Sequence, residues 1–246
     1  MNVEWLSHWS GNLNREMPLN RYGHAGLPIV VFPSSGGTHN EYADFGMISA
    51  CQESIEAGRV QFFTLASVDN ESWLCDWKSA HDRALMHQAY ERYVIEEAIP
   101  FIKHKTGWFD PMMATGCSMG GYQSLNIFFQ HPDVFRKVIA LSGVYDARFF
   151  VGEYGDDQAV YVNSPSDYMW NQNDPWFLEQ YRQSDIIVCT GLGAWEQDGL
   201  PSFYSVKAAC EAKGIPAWFD EWGHDVAHDW PWWRAQMPYF LAKLGL

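Results

Sequence analysis

Met112-Met113-Ala114-Thr115-Gly116-Cys117-Ser118-Met119-Gly120-Gly121 carries a short apolar run into the pattern G-x-S-x-G, and Leu125, Phe128 and Phe129 follow at helical spacing. Such a segment is expected to form a strand, a tight turn and a helix. A serine on a strained turn needs small neighbours, so that helix and strand approach closely while the hydroxyl stays exposed. Ser118 is the candidate nucleophile.

Upstream of this segment, Leu27 to Phe32 is a continuous apolar run, as expected of a strand covered on both faces. Pro33-Ser34-Ser35-Gly36-Gly37-Thr38-His39-Asn40 follows it, a Gly/Ser loop at the strand end where ligands bind in open α/β sheets. Residues 2–9 and 15–22 form a predicted hairpin through Ser10-Gly11-Asn12, and Val60 to Ala66 is another strand. Leu85, Ala89, Tyr93, Val94, Ala98, Phe101 and Ile102 share one face of a long helix over 80–106, with Pro100 placed to kink it and Gly107 to end it.

Downstream, Val138 to Ser142, Ile186 to Thr190 and Ala217 to Glu221 read as strands, with helices around Ser205 to Ala212 and at the C-terminus. Residues 147–182 show no sustained period and are expected to be a small insertion that partly walls the site. Alternating strands and helices imply an α/β fold, a mostly parallel central sheet with helices on both faces. Residues 1–246 are read as one such domain, a length that buries an adequate core without disulfide or metal staples.

Thirty Asp and Glu against sixteen Lys and Arg give a formal net charge of -14, which argues against nucleic acid or an anionic membrane surface as partner. Aromatics make up 16% of the chain, which points to a large aromatic core or an acyl- or aryl-binding cleft. The five Cys are unpaired in spacing and are expected to be buried free thiols. Met1-Asn2-Val3-Glu4-Trp5 lacks a basic region followed by an apolar run, and no apolar stretch is long enough to span a bilayer, so a cytoplasmic, soluble protein is expected.

A neutral serine needs a histidine to take its proton and a carboxylate to hold that histidine's tautomer. In α/β-hydrolases these follow in the order Ser, acid, His, each at or beyond a strand's carboxyl end. Glu196 or Asp198 lies after the next-to-last predicted strand, and His224 or His228 after the last. His228 is favoured because it sits just before the Trp-rich start of the final helix, from which it reaches back over the sheet edge. Glu196 is favoured because it is nearer its strand and follows Trp195, placed to shield its hydrogen bond, whereas Asp198-Gly199 looks like a turn. The oxyanion donors are expected to be the Met119 amide and one amide from Gly36, Gly37 or Thr38, with Gly37 preferred.

Gly116-Cys117-Ser118-Met119-Gly120-Gly121, Glu91-Arg92-Tyr93 with Glu96, Glu97 and Pro100, and His228-Asp229-Trp230-Pro231-Trp232-Trp233 together resemble the esterase family of α/β-hydrolases that includes feruloyl esterases, S-formylglutathione hydrolases and the antigen 85 mycolyltransferases. The last stretch is similar to the family's H-x-W-x-x-W ending, whose histidine is catalytic, and this supports His228. Pro33-Ser34-Ser35 departs from the His-Gly segment of many relatives, and Trp195-Glu196-Gln197-Asp198 from the commoner Asp form.

A serine esterase acting on a small-molecule ester is the favoured reading, with no cofactor and no metal expected and a homo-oligomer open. Three other readings compete. One is acyl transfer by the same residues, another a noncatalytic binding module on the same fold. The third is a zinc site at His224-Asp225-Val226-Ala227-His228, which would need a helix that Gly223 and Pro231 oppose.

Overall fold

A computed structural model describes residues 1–246. Eight strands form one sheet in the order β1-β2-β4-β3-β5-β6-β7-β8. They are β1 (Val3–Ser10), β2 (Arg15–Tyr22), β3 (Leu27–Phe32), β4 (Val60–Leu65), β5 (Met112–Cys117), β6 (Phe135–Leu141), β7 (Asp185–Thr190) and β8 (Trp218–Glu221). The hairpin β1–β2 and the β2–β4 pair are antiparallel, and all other pairs are parallel. Every residue of β3, β4 and β5 is buried, which explains the continuous apolar run of β3 and the largely apolar β4 and β5, whose Gln61, Thr64 and Thr115 are buried polar residues.

The strand pleat sends alternate side chains to opposite faces. Val30, Phe32, Ala114, Val138, Ala140 and Val188 enter the larger core, whereas Ile29, Val31, Met113, Ile139 and Ile187 enter the smaller one. The smaller core is covered by α1 (Glu41–Asp44), α2 (Met47–Ala50), α3 (Gln52–Glu56) and the closing helix α12 (Trp230–Lys243). Across the sheet lie α4 (Ala80–Tyr93), α5 (Ile99–Thr106) and α6 (Met119–Gln130). They are joined on that face by α7 (Arg148–Val151), α8 (Gln158–Tyr161), α9 (Pro165–Asn171), α10 (Pro175–Arg182) and α11 (Leu200–Ala212).

The long helix over 80–106 starts where the Ser79 side chain accepts from the Asp82 amide, and ends at Gly107 with φ 69°. Its interruption differs from a simple proline kink. Residues Val94–Ala98 form a π turn, with the Ile99 amide donating to Val94 O, just before Pro100. The wider turn accommodates a ring that an unbroken α-helix would drive against a preceding carbonyl.

Residues 147–182, aperiodic in sequence, form the four short helices α7 to α10. Helices this short show too few turns for a period to emerge. All five cysteines are free and buried. No helix is long and apolar enough to cross a membrane.

Candidate active site

Ser118 stands between β5 and α6 with φ 57° and ψ -121°, a strained backbone for a residue bearing a side chain. The glycines around it make that turn fit. A β-carbon on Gly120 would lie 2.2 Å from Phe32 O, and one on Gly121 2.5 Å from Leu141 O. Helix, strand and turn therefore meet with no room for side chains.

His228 Nε2 lies 2.8 Å from Ser118 Oγ, and His228 Nδ1 lies 3.2 Å from Glu196 Oε2. Glu196 and His228, 32 positions apart, are brought together by the way two loops zip. The Gly193 amide donates to Val226 O and the His228 amide to Ala194 O, both at 2.9 Å. A β-carbon on Gly191 would lie 2.1 Å from Val226 O, so the acid-bearing loop lies flush against the histidine loop. His224 is exposed, and residues 223–229 form turns and bends, so the i, i+4 histidine pair is not presented by a helix.

Glu196 is 2% exposed, whereas Asp198 is exposed. Besides His228, Glu196 faces the Gly191 amide at 3.2 Å, the Thr190 hydroxyl at 3.3 Å and the Ser142 hydroxyl at 2.7 Å. Ser142 in turn accepts from Trp233 Nε1 at 2.9 Å. It too has a positive φ, 51°, at the carboxyl end of β6. A chain of donors thus runs from the Trp233 indole through Ser142 to the carboxylate, holding it where it meets Nδ1.

Trp195 does not shield this carboxylate. It is 77% exposed with φ 63°, and the turn directs it outward. The cover comes from Trp233, edge-on to the His228 ring at 5.0 Å. Trp230 packs edge-on against Trp233 at 5.2 Å, edge-on against Tyr42 at 5.8 Å and face to face with Phe45 at 4.8 Å. The two tryptophans of H-x-W-x-x-W therefore lock α12 to α1 and cap the histidine.

The facing loop differs from expectation at one residue. The Gly37 amide donates to Ser34 O at 2.8 Å, closing a turn, and so is already engaged within its own loop. Ser35 lines the recess beside Ser118 and Met119, and its amide makes no hydrogen bond within the chain. Two buried carboxyls set this arrangement. Glu41 accepts from the Ser34 amide at 2.7 Å and from its hydroxyl at 2.6 Å. Asp69 accepts from the Gly36 amide at 3.3 Å and from Gln123 Nε2 at 2.7 Å. Burial pushes the Asp69 carboxyl up to about 6, only partly opposed by these donors.

The family profile described as "Putative esterase" matches residues 10–244. The chain belongs to this esterase family. Membership supports ester hydrolysis as the general activity. A search of curated proteins finds no match. Among solved structures, a ferulic acid esterase is similar with a TM-score of 0.77 and 18% identity, covering 99% of this chain and 97% of that one. An S-formylglutathione hydrolase from Agrobacterium tumefaciens superposes with a TM-score of 0.71 at 17% identity, over 98% and 93% of the two chains. MPT51 (FbpC1) from Mycobacterium tuberculosis does so with 0.72 at 14%, over 99% and 98%. Identities this low establish the α/β-hydrolase fold alone.

Of the residues that hydrogen-bond or line this candidate site, Ser142, Glu41, Asp69 and Ser35 were not selected from the sequence. Their one shared signal is position, each lying at or shortly beyond the carboxyl end of a parallel strand.

Proposed function

We propose that the protein is a serine carboxylesterase working through an acyl-enzyme on Ser118. The observation that carries this reading is the continuous path from Ser118 Oγ through both His228 nitrogens to Glu196. Ser118 Oγ attacks the ester carbonyl carbon as its proton passes to His228 Nε2, and the carbonyl π electrons move onto oxygen. Amides of Met119 and Ser35 donate to that oxyanion. The intermediate collapses, the bond to the leaving oxygen breaks, and Nε2 returns the proton to it, releasing the alcohol. Water then attacks the acyl-enzyme, again giving a proton to Nε2, and Ser118 leaves with that proton as the carboxylic acid is released. Glu196 accepts from Nδ1–H throughout and stabilises the imidazolium.

The test is turnover of short p-nitrophenyl esters alongside labelling by a fluorophosphonate. Ser118→Ala is expected to lower kcat by about 10⁴ or more and to abolish labelling. Retained turnover in that variant refutes the mechanism.

A further inference from the structure

Ser118 shares a recess with Ser35, Met119, Val144, Phe149 and Phe150, and its volume is about 30 Å³. His228 and Glu196 are not among its walls. This decides which half of an ester the recess receives. In the tetrahedral adduct the leaving oxygen must lie within hydrogen-bond reach of His228 Nε2, and the oxyanion must face the Met119 amide. The oxyanion takes the side of the recess formed by Met119 and Ser35, and the acyl substituent takes the remaining direction, away from His228 and toward Val144, Phe149 and Phe150. One water needs about 10–15 Å³ on the same measure, so about two or three heavy atoms fit, and with the oxyanion among them about one or two remain for the chain beyond the carbonyl carbon.

The walls are braced against widening. Phe150 stacks on Trp73 at 5.6 Å and meets Tyr122 at 5.0 Å, and both of those rings are fully buried. Phe149 closes the outer side, edge-on to Phe150 at 5.4 Å. Arg148, adjacent in sequence, pins α7 to α9 through Asp167 at 2.8 Å, and its Nη1 also meets Asp146 at 3.1 Å.

We infer that this site selects short unbranched acyl groups, acetyl or propionyl, with Phe149 and Phe150 as the residues that set the limit. The inference rests on Ser118 being the nucleophile. A phenylpropenoyl group exceeds the recess by its ring alone.

The experiment measures kcat/KM for p-nitrophenyl acetate, butyrate and octanoate and for methyl ferulate, in the native protein and in Phe150→Ala and Phe149→Ala. Phe149 is half exposed, so its variant folds even where Phe150→Ala does not. Native protein is expected to prefer acetate over octanoate by at least about tenfold, and either variant to narrow that ratio by about tenfold, as expected when a filled pocket is opened by several methylene equivalents. Native preference for butyrate, octanoate or ferulate, with Ser118 still labelled by fluorophosphonate, overturns this inference alone. An unchanged ratio in both folded variants does the same. Absence of both turnover and labelling overturns the serine-esterase reading and this inference with it.

Discussion

The elbow around Ser118 and the loop that faces it are held by opposite means. At the elbow, side chains are missing: β-carbons on Gly116 and Gly120 would lie 2.3 Å from Gly120 C and 2.2 Å from Phe32 O. At the facing loop, side chains are present and acidic, with Glu41 and Asp69 gripping the amides of Ser34 and Gly36. Steric exclusion ignores pH and tolerates no added atom. Carboxylate tethers tolerate isosteric replacement but answer to protonation.

The largest expected difference is at Gly120. Gly120→Ala forces a β-carbon into backbone that cannot yield, and a stability loss above about 3 kcal/mol is expected, equal at pH 5 and pH 8 by urea denaturation. Near-native stability in that variant would break the comparison.

Asp69 is next. Its carboxyl keeps its proton to about 6 when folded, against about 4 in the unfolded chain, so between those values the folded state binds more protons. Stability contributed by this group is therefore full below pH 4 and is lost as pH rises through 6, by about 2–3 kcal/mol. Asp69→Asn is expected to remove that slope, read as the difference between the two proteins' denaturation midpoints across pH 4–8. Parallel pH curves would refute it.

Glu41→Gln keeps an acceptor for the Ser34 amide but removes the charge, and a smaller cost of about 1–2 kcal/mol is expected. Because the loop carries the Ser35 amide, kcat should fall with KM little changed. The smallest effect is expected at Ser142→Ala, which removes one of four donors to Glu196, about 1 kcal/mol in kcat/KM.

Strands such as β3 were legible because a strand buried on both faces carries a continuous apolar run, whereas their order in the sheet was not, since it depends on pairings between distant segments. Ser118 was legible because its glycines are required within two residues of it, by contacts of a single turn. Glu196 and His228 were legible only as the favoured members of two pairs. What separated them from Asp198 and His224 in space is the backbone zipper of two loops, Gly193 to Val226 and Ala194 to His228. Gly37 was preferred as an oxyanion donor on the position of its loop after β3, yet its amide closes a turn onto Ser34 O. That choice follows from the reach of Glu41, seven residues from Ser34.

The sequence by itself determined the alternation of elements, the strained turn at Ser118 and the family, since each rests on local pattern or on a short motif. Only the tertiary structure decided how the Gly37 amide is tied to Ser34 O, how Trp233 reaches Glu196 through Ser142, and how Phe149 and Phe150 line the recess beside Ser118. Those features depend on side chains from separate strands meeting at one sheet edge, and their directions are set by contacts between distant segments.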